Sequence, residues 1–152
     1  AVRAIEDASR AAPLQLLPGV ADTIPELARR GYSLGLISDT SLTPGRILVE
    51  FLQQDGLLHH FASLTFSDVT GYTKPDRRMF EATLGVLRAT PPESAHVGDT
   101  PRTDIAGAQA LGMLAIRCTG AVDHDGPPPA DFVISDHREI PAILDSAAIE
   151  AG

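Results

Sequence analysis

The chain has 152 residues, 43% hydrophobic and 21% charged, which suits one globular domain that buries its own core without a disulfide framework or structural metal. Twelve Lys plus Arg against twenty Asp plus Glu leave a formal charge of −8 with no basic cluster to follow a phosphate backbone, so no nucleic-acid partner is expected. No apolar run approaches the ~20 residues of a membrane span. Cys118 is the one cysteine, and the opening AVRAIEDASRAAPLQLLPGV lacks the basic start and apolar stretch of a secretory signal, so the expectation is no membrane and a cytoplasmic location.

An Ala-rich opening predicts a helix over Val2 to Ala11, and Pro13 with Pro18-Gly19 interrupts any regular element after it, so residues 1–20 read as a connector to a domain at 21–150. Thr23 with Glu26 three residues on makes a capping box, with Pro25 in the first turn, and predicts a helix over about 23–30 ending at Gly31. Tyr32 to Ser38 is a short apolar run expected as a strand buried on both faces. Thr43-Pro44 opens a helix with the stripe Ile47, Leu48, Phe51 and Leu52, closed by Asp55-Gly56.

A second strand is expected through Ala62 to Ser67, then a helix capped by Asp76 that carries Met79, Phe80, Leu84 and Leu87. Ser94 to Gly98 predicts a third strand, and Thr100-Pro101 starts a helix presenting Ile105, Ala108 and Leu111. Met113 to Cys118 and Asp131 to Ser135 predict the last strands, and Ile140, Ile143, Leu144 and Ala147 a last helical stripe. Only 119–130, with three consecutive prolines, reads as loose. Strands alternating with helices predict an α/β, Rossmann-like parallel sheet with helices on both faces, and ligands beyond the carboxyl ends of its strands.

Three strand ends carry chemistry. Ser38, Asp39 and Thr40 offer a hydroxyl and backbone N–H groups for a phosphate oxygen. Lys74 precedes a helix N-terminus, where a cation is electrostatically out of place unless it holds an anion. Gly98-Asp99 with Asp104 five residues later brings two carboxylates into one volume, and a hard cation with oxygen ligands, Mg²⁺ above all, relieves their repulsion. The histidines, His96 within a strand and His124 in the Pro-rich loop among them, show no metal-ligand spacing, and Cys118 reads as a small buried hydrophobe.

Leu34 to Ser38, Gly71-Tyr-Thr-Lys74-Pro-Asp76 and His96-Val-Gly-Asp99-Thr-Pro-Arg-Thr-Asp104 running on to Gly112-Met113, in this order, closely resemble the haloacid dehalogenase-like hydrolases over residues 14–145. The resemblance implies that Ser38, with Asp39 and Thr40 beside it, binds phosphate and that Lys74 is the lysine of the third motif. It also implies that Asp99 and Asp104 hold Mg²⁺, while Asp39 stands where many relatives have Asn. The family's first motif, an apolar strand ending in Asp-x-Asp, has no counterpart: Asp123-His-Asp125 lies in the Pro-rich loop.

The chain therefore resembles a relative truncated at the N-terminus, without its central first strand, its nucleophile and most of its cap, residues 1–20 being similar to the last cap helix and return. The implied function is a Mg²⁺-dependent phosphatase of small phosphomonoesters, with Lys74, Asp99 and Asp39 as catalytic residues and Asp68 as another candidate base. A 2-haloacid dehalogenase and a catalytically inactive interaction module are the alternatives. Loss of a central strand would leave two unpaired edges, which predicts a homodimer or larger assembly.

Overall fold

The computed structural model describes residue 10 and residues 14–151. Apart from Arg10, the helix expected over Val2 to Ala11 lies outside the described residues, and so does Pro13. In chain order the elements are α1 (Val20–Arg29), β1 (Leu34–Ser38), α2 (Gly45–Gln54), β2 (Phe61–Phe66), the single turn α3 (Ser67–Thr70) and α4 (Arg77–Leu87). β3 (Ala95–Gly98), a π-helical turn (Pro101–Ile105), α5 (Ala106–Leu111), β4 (Leu114–Cys118), β5 (Phe132–Ile134) and α6 (Ile140–Ser146) complete the chain.

Every strand pair is parallel, as the strand–helix alternation predicts, but the strands form two sheets instead of one: β1–β2 and β3–β4–β5. Ladder partners must lie about 4.8 Å apart, and among the described residues no strand bridges the two pieces. Side chains join them instead. Helix α4 packs on β1, β2 and α5. Its Met79 and Phe80 are fully buried in a cluster with Ile105, Ala108, Met113 and Ala115, against which Ile37 of β1 also packs. Each such burial is worth roughly 1.5–3 kcal/mol, so α4 is the main tie between the pieces.

The three-stranded sheet is covered on both faces. In β4, Ala115 belongs to the cluster under α4, while its neighbours Ile116 and Cys118 belong to a second cluster with Leu27 of α1, Ile134 of β5 and Ile140 and Leu144 of α6. Successive side chains point to opposite faces of a strand, and here each face meets a helix layer. Cys118 is buried as expected.

Three sequence expectations are corrected. First, α1 starts at Val20, not Thr23: the Thr23 N–H already donates to the Gly19 carbonyl at 2.9 Å, and Glu26 turns to Arg29 and Arg30 instead of closing a capping box. The start is set by Gly19, whose φ of 80° and lack of a Cβ, which would lie 2.1 Å from Asp136 Oδ1, admit no other residue without strain. Second, β1 begins at Leu34 and is half-buried, because a two-stranded sheet cannot enclose it; Tyr32 instead donates its hydroxyl to the Ile149 carbonyl at 2.9 Å. Third, the 119–130 segment is pinned. Arg117 of β4 pairs with Asp123 and donates to the His124 carbonyl at 3.0 Å, and Gln109 Nε2 donates to the Pro129 carbonyl at 2.8 Å.

Candidate functional site

Ser38, Asp39 and Thr40 lie at the end of β1, the segment 71–76 links α3 to α4, and Asp99 comes directly after β3. Lys74 ties these strand ends together. Its backbone N–H donates to Asp39 Oδ1 at 3.0 Å, and its ammonium donates to Asp104 Oδ1 at 2.6 Å. The Lys74 side chain is 13% exposed and that of Asp104 4%, so this is a buried charge pair. An ammonium has three donors, and two remain after Asp104 is served.

Asp104 sits in the π-helical turn with every oxygen engaged. Oδ1 also accepts from His96 Nε2 at 3.0 Å, and Oδ2 accepts from the Thr100 N–H at 3.1 Å. An ionised carboxylate only accepts, so the His96 proton is on Nε2. Burial pushes the Asp104 carboxyl up, but the His96 hydrogen bond and the Lys74 ammonium outweigh it and hold the group well below the usual carboxylate range. Gly98 makes the arrangement possible: a Cβ there would lie 2.2 Å from the Asp104 carboxyl carbon.

These contacts show what surrounds two of the expected site residues. Asp104 does not stand as a bare charge beside Asp99: the Lys74 ammonium balances it, and His96 Nε2 and the Thr100 N–H also donate to its oxygens. Thr40, expected on phosphate, spends both donors elsewhere: its N–H goes to Ser67 Oγ at 2.8 Å and its hydroxyl to Asp68 Oδ1 at 2.8 Å. Asp68 in turn accepts from the Gly45 N–H at 3.1 Å, so its carboxylate fastens the 40–45 loop to α3.

Ser38, Asp39 and Asp99 keep groups available. The Ser38 hydroxyl makes no hydrogen bond among the described residues. Asp39 is exposed, with Oδ1 on the Lys74 N–H. Asp99 accepts from the Thr100 hydroxyl at 2.9 Å, and its Oδ2 lies 3.7 Å from His124 Nε2. Mg²⁺ takes one or two carboxylates and fills its shell with water and phosphate oxygens, so Asp99 fits as a ligand. Among the described residues no group of three or more His, Cys, Asp or Glu side chains forms a metal cage.

Two site residues, His96 and His124, escape sequence reading. His96 is buried as expected of a strand residue, yet its ring faces a carboxylate. The available signal is period two: His96 and Gly98 share one strand face, the face that Gly98 opens to Asp104.

Comparison with known proteins shows the family. The profile of the haloacid dehalogenase-like hydrolases matches residues 2–112. The chain is 34% identical over 143 residues to human haloacid dehalogenase-like hydrolase domain-containing protein 3, covering 94% of this chain and 53% of that protein. It is 32% identical over 126 residues to a phosphoserine phosphatase of Thermus thermophilus, covering 82% of this chain and 49% of that one. A crystal structure of a HAD phosphatase from Thermococcus onnurineus superposes with a TM-score of 0.76 at 29% identity, over 91% of this chain and 60% of that one. The chain belongs to the haloacid dehalogenase-like hydrolases. It spans about half the length of the curated relatives it matches. Among the described residues no helix is long and apolar enough to cross a membrane.

Proposed function

We propose that this chain binds and hydrolyses small phosphomonoesters with the help of Mg²⁺. The observation that carries the reading is the buried Lys74 ammonium, held by Asp104 at the meeting point of the strand ends. The Ser38 hydroxyl and the two remaining Lys74 donors take phosphoryl oxygens, and Lys74 balances the charge that grows on them in the transition state. Asp99 would hold the cation, with Asp104 beside it keeping Lys74 in place. Bound Mg²⁺ would polarise the phosphoryl group and offset its charge. Water attacks phosphorus as the ester P–O bond breaks, Asp39 Oδ2 accepts the water proton, and the departing alkoxide is protonated from solvent.

Phosphate release from p-nitrophenyl phosphate, with and without millimolar Mg²⁺, tests this. Turnover that needs Mg²⁺ and is lost in Asp99→Asn supports it. Turnover unaffected by either change overturns the metal assignment, and a phosphorylated aspartate trapped by mass spectrometry overturns direct attack by water. The named phosphatases among the curated relatives support a phosphate ester as substrate.

A further inference from the structure

Beside Asp99 lies a cavity of about 290 Å³ whose walls are Thr100, Pro101 and Arg102 on one side and His124, Gly126 and Pro127 on the other. Two of its lining residues reach Asp99: Thr100 donates its hydroxyl to Asp99 Oδ1 at 2.9 Å, and His124 Nε2 stands 3.7 Å from Asp99 Oδ2. The far wall is held in place. Arg117 grips the loop at Asp123 and at the His124 carbonyl, and Gln109 grips it at the Pro129 carbonyl. The volume is at the small end for ligand pockets and suits a few heavy atoms.

The charges in this cavity are unequal. Arg30, Arg78, Arg117 and Arg138 each pair with a carboxylate, whereas the Arg102 guanidinium has no ion pair or hydrogen bond among the described residues. The acid that shares the cavity, Asp125, turns its Oδ1 to the Gly126 N–H at 2.8 Å. An unpaired guanidinium presents a planar fork matched to a carboxylate, and the imidazole across the cavity offers a further donor.

We propose that this cavity receives the organic part of the phosphomonoester, and that the preferred substrates carry a carboxylate that Arg102 binds, with His124 as second donor. The assignment rests on the phosphomonoesterase reading and narrows its substrate class. Arg102 is thus a specificity residue, and the 119–130 loop builds the wall that selects the leaving group.

The test compares two esters of equal length, the phosphate monoester of 3-hydroxypropionate and propyl phosphate, by isothermal titration and by phosphate release. The expected result is that the carboxylated ester binds at least about tenfold more tightly, and that Arg102→Gln brings the ratio of the two dissociation constants to within about twofold of one. Equal binding of the two esters by the parent chain, or a preference that survives Arg102→Gln, overturns the cavity assignment; release of phosphate from propyl phosphate in that case leaves the phosphatase reading standing. Failure of both esters to bind and to release phosphate overturns both readings.

Discussion

The Lys74 ammonium sits 2.6 Å from Asp104 Oδ1, and each of the two charges is buried because the other is there. Removing one partner of such a pair leaves the other desolvated and uncompensated, which costs more than removing both. Lys74→Met is therefore expected to destabilise the chain by about 3 kcal/mol in urea unfolding, with His96 and the Thr100 N–H left to hold Asp104. The double variant Lys74→Met with Asp104→Asn should recover part of that loss. A double variant less stable than Lys74→Met alone would show that the pair is not the source.

Gly98→Ala tests the same site through sterics. The new Cβ would fall 2.2 Å from the Asp104 carboxyl carbon, closer than any real contact, so Asp104 must leave Lys74, His96 or the Thr100 N–H. The expected outcome is a loss of roughly 2 kcal/mol, on the scale of overpacked cores, together with a fall in phosphate release. Unchanged melting and turnover would mean that Asp104 is free to move, contrary to its burial.

The fold was readable where one local signal acts alone, as in the cap at Asp76 and in the β4 run from Leu114 to Cys118 with its two buried faces. The local signal misleads where two signals compete: Thr23-x-x-Glu26 is a sound capping box in isolation, but Pro18-Gly19 starts the helix earlier and Glu26 finds two arginines. Lys74 and Asp104 were legible as polar residues beyond strand ends, yet their pairing was not, because the distance between residues 74 and 104 is set by the docking of α4 against α5. The same holds for His96 and His124, whose neighbours are fixed by packing and by the Arg117 clamp.

Stability should also depend on His137, away from the Lys74–Asp104 pair. Burial pushes its imidazole below the ordinary value of 6.5, against smaller upward effects from a backbone hydrogen bond at Pro18 and the Asp136 charge. The folded chain then binds this proton less tightly than the unfolded chain. Stability is accordingly complete above about pH 6.5 and is lost as pH falls through the lower folded value. Melting midpoints recorded from about pH 8 to 5 should fall on the acid side, and His137→Asn should flatten that slope. Asp104 does not confuse the result, because its own loss of charge lies below the ordinary carboxylate value of 3.8. An equal slope in His137→Asn would place the acid sensitivity elsewhere.

The division of the sheet leads to a prediction about assembly. Among the described residues β1 and β2 pair only with each other, and β3 and β5 each pair only with β4, so four strands present one unpaired side. Two-stranded sheets are marginal in water, and unpaired edges are templates for strands of another chain. Apolar side chains are exposed nearby: Val133 on β5 is 53% exposed, and Leu42 and Val69 beside the Thr40–Asp68 contact are 73% and 79% exposed. Packing of α4 across both pieces supplies side-chain contacts but no backbone partners. A second copy of the chain would provide such partners through a symmetric edge-to-edge contact. Multi-angle light scattering at micromolar concentration is therefore expected to return at least twice the chain's mass, with a melting midpoint that rises with protein concentration. A monomer whose melting is cooperative and independent of concentration would mean that the α4 cluster around Met79 and Phe80 holds the two sheets together by itself.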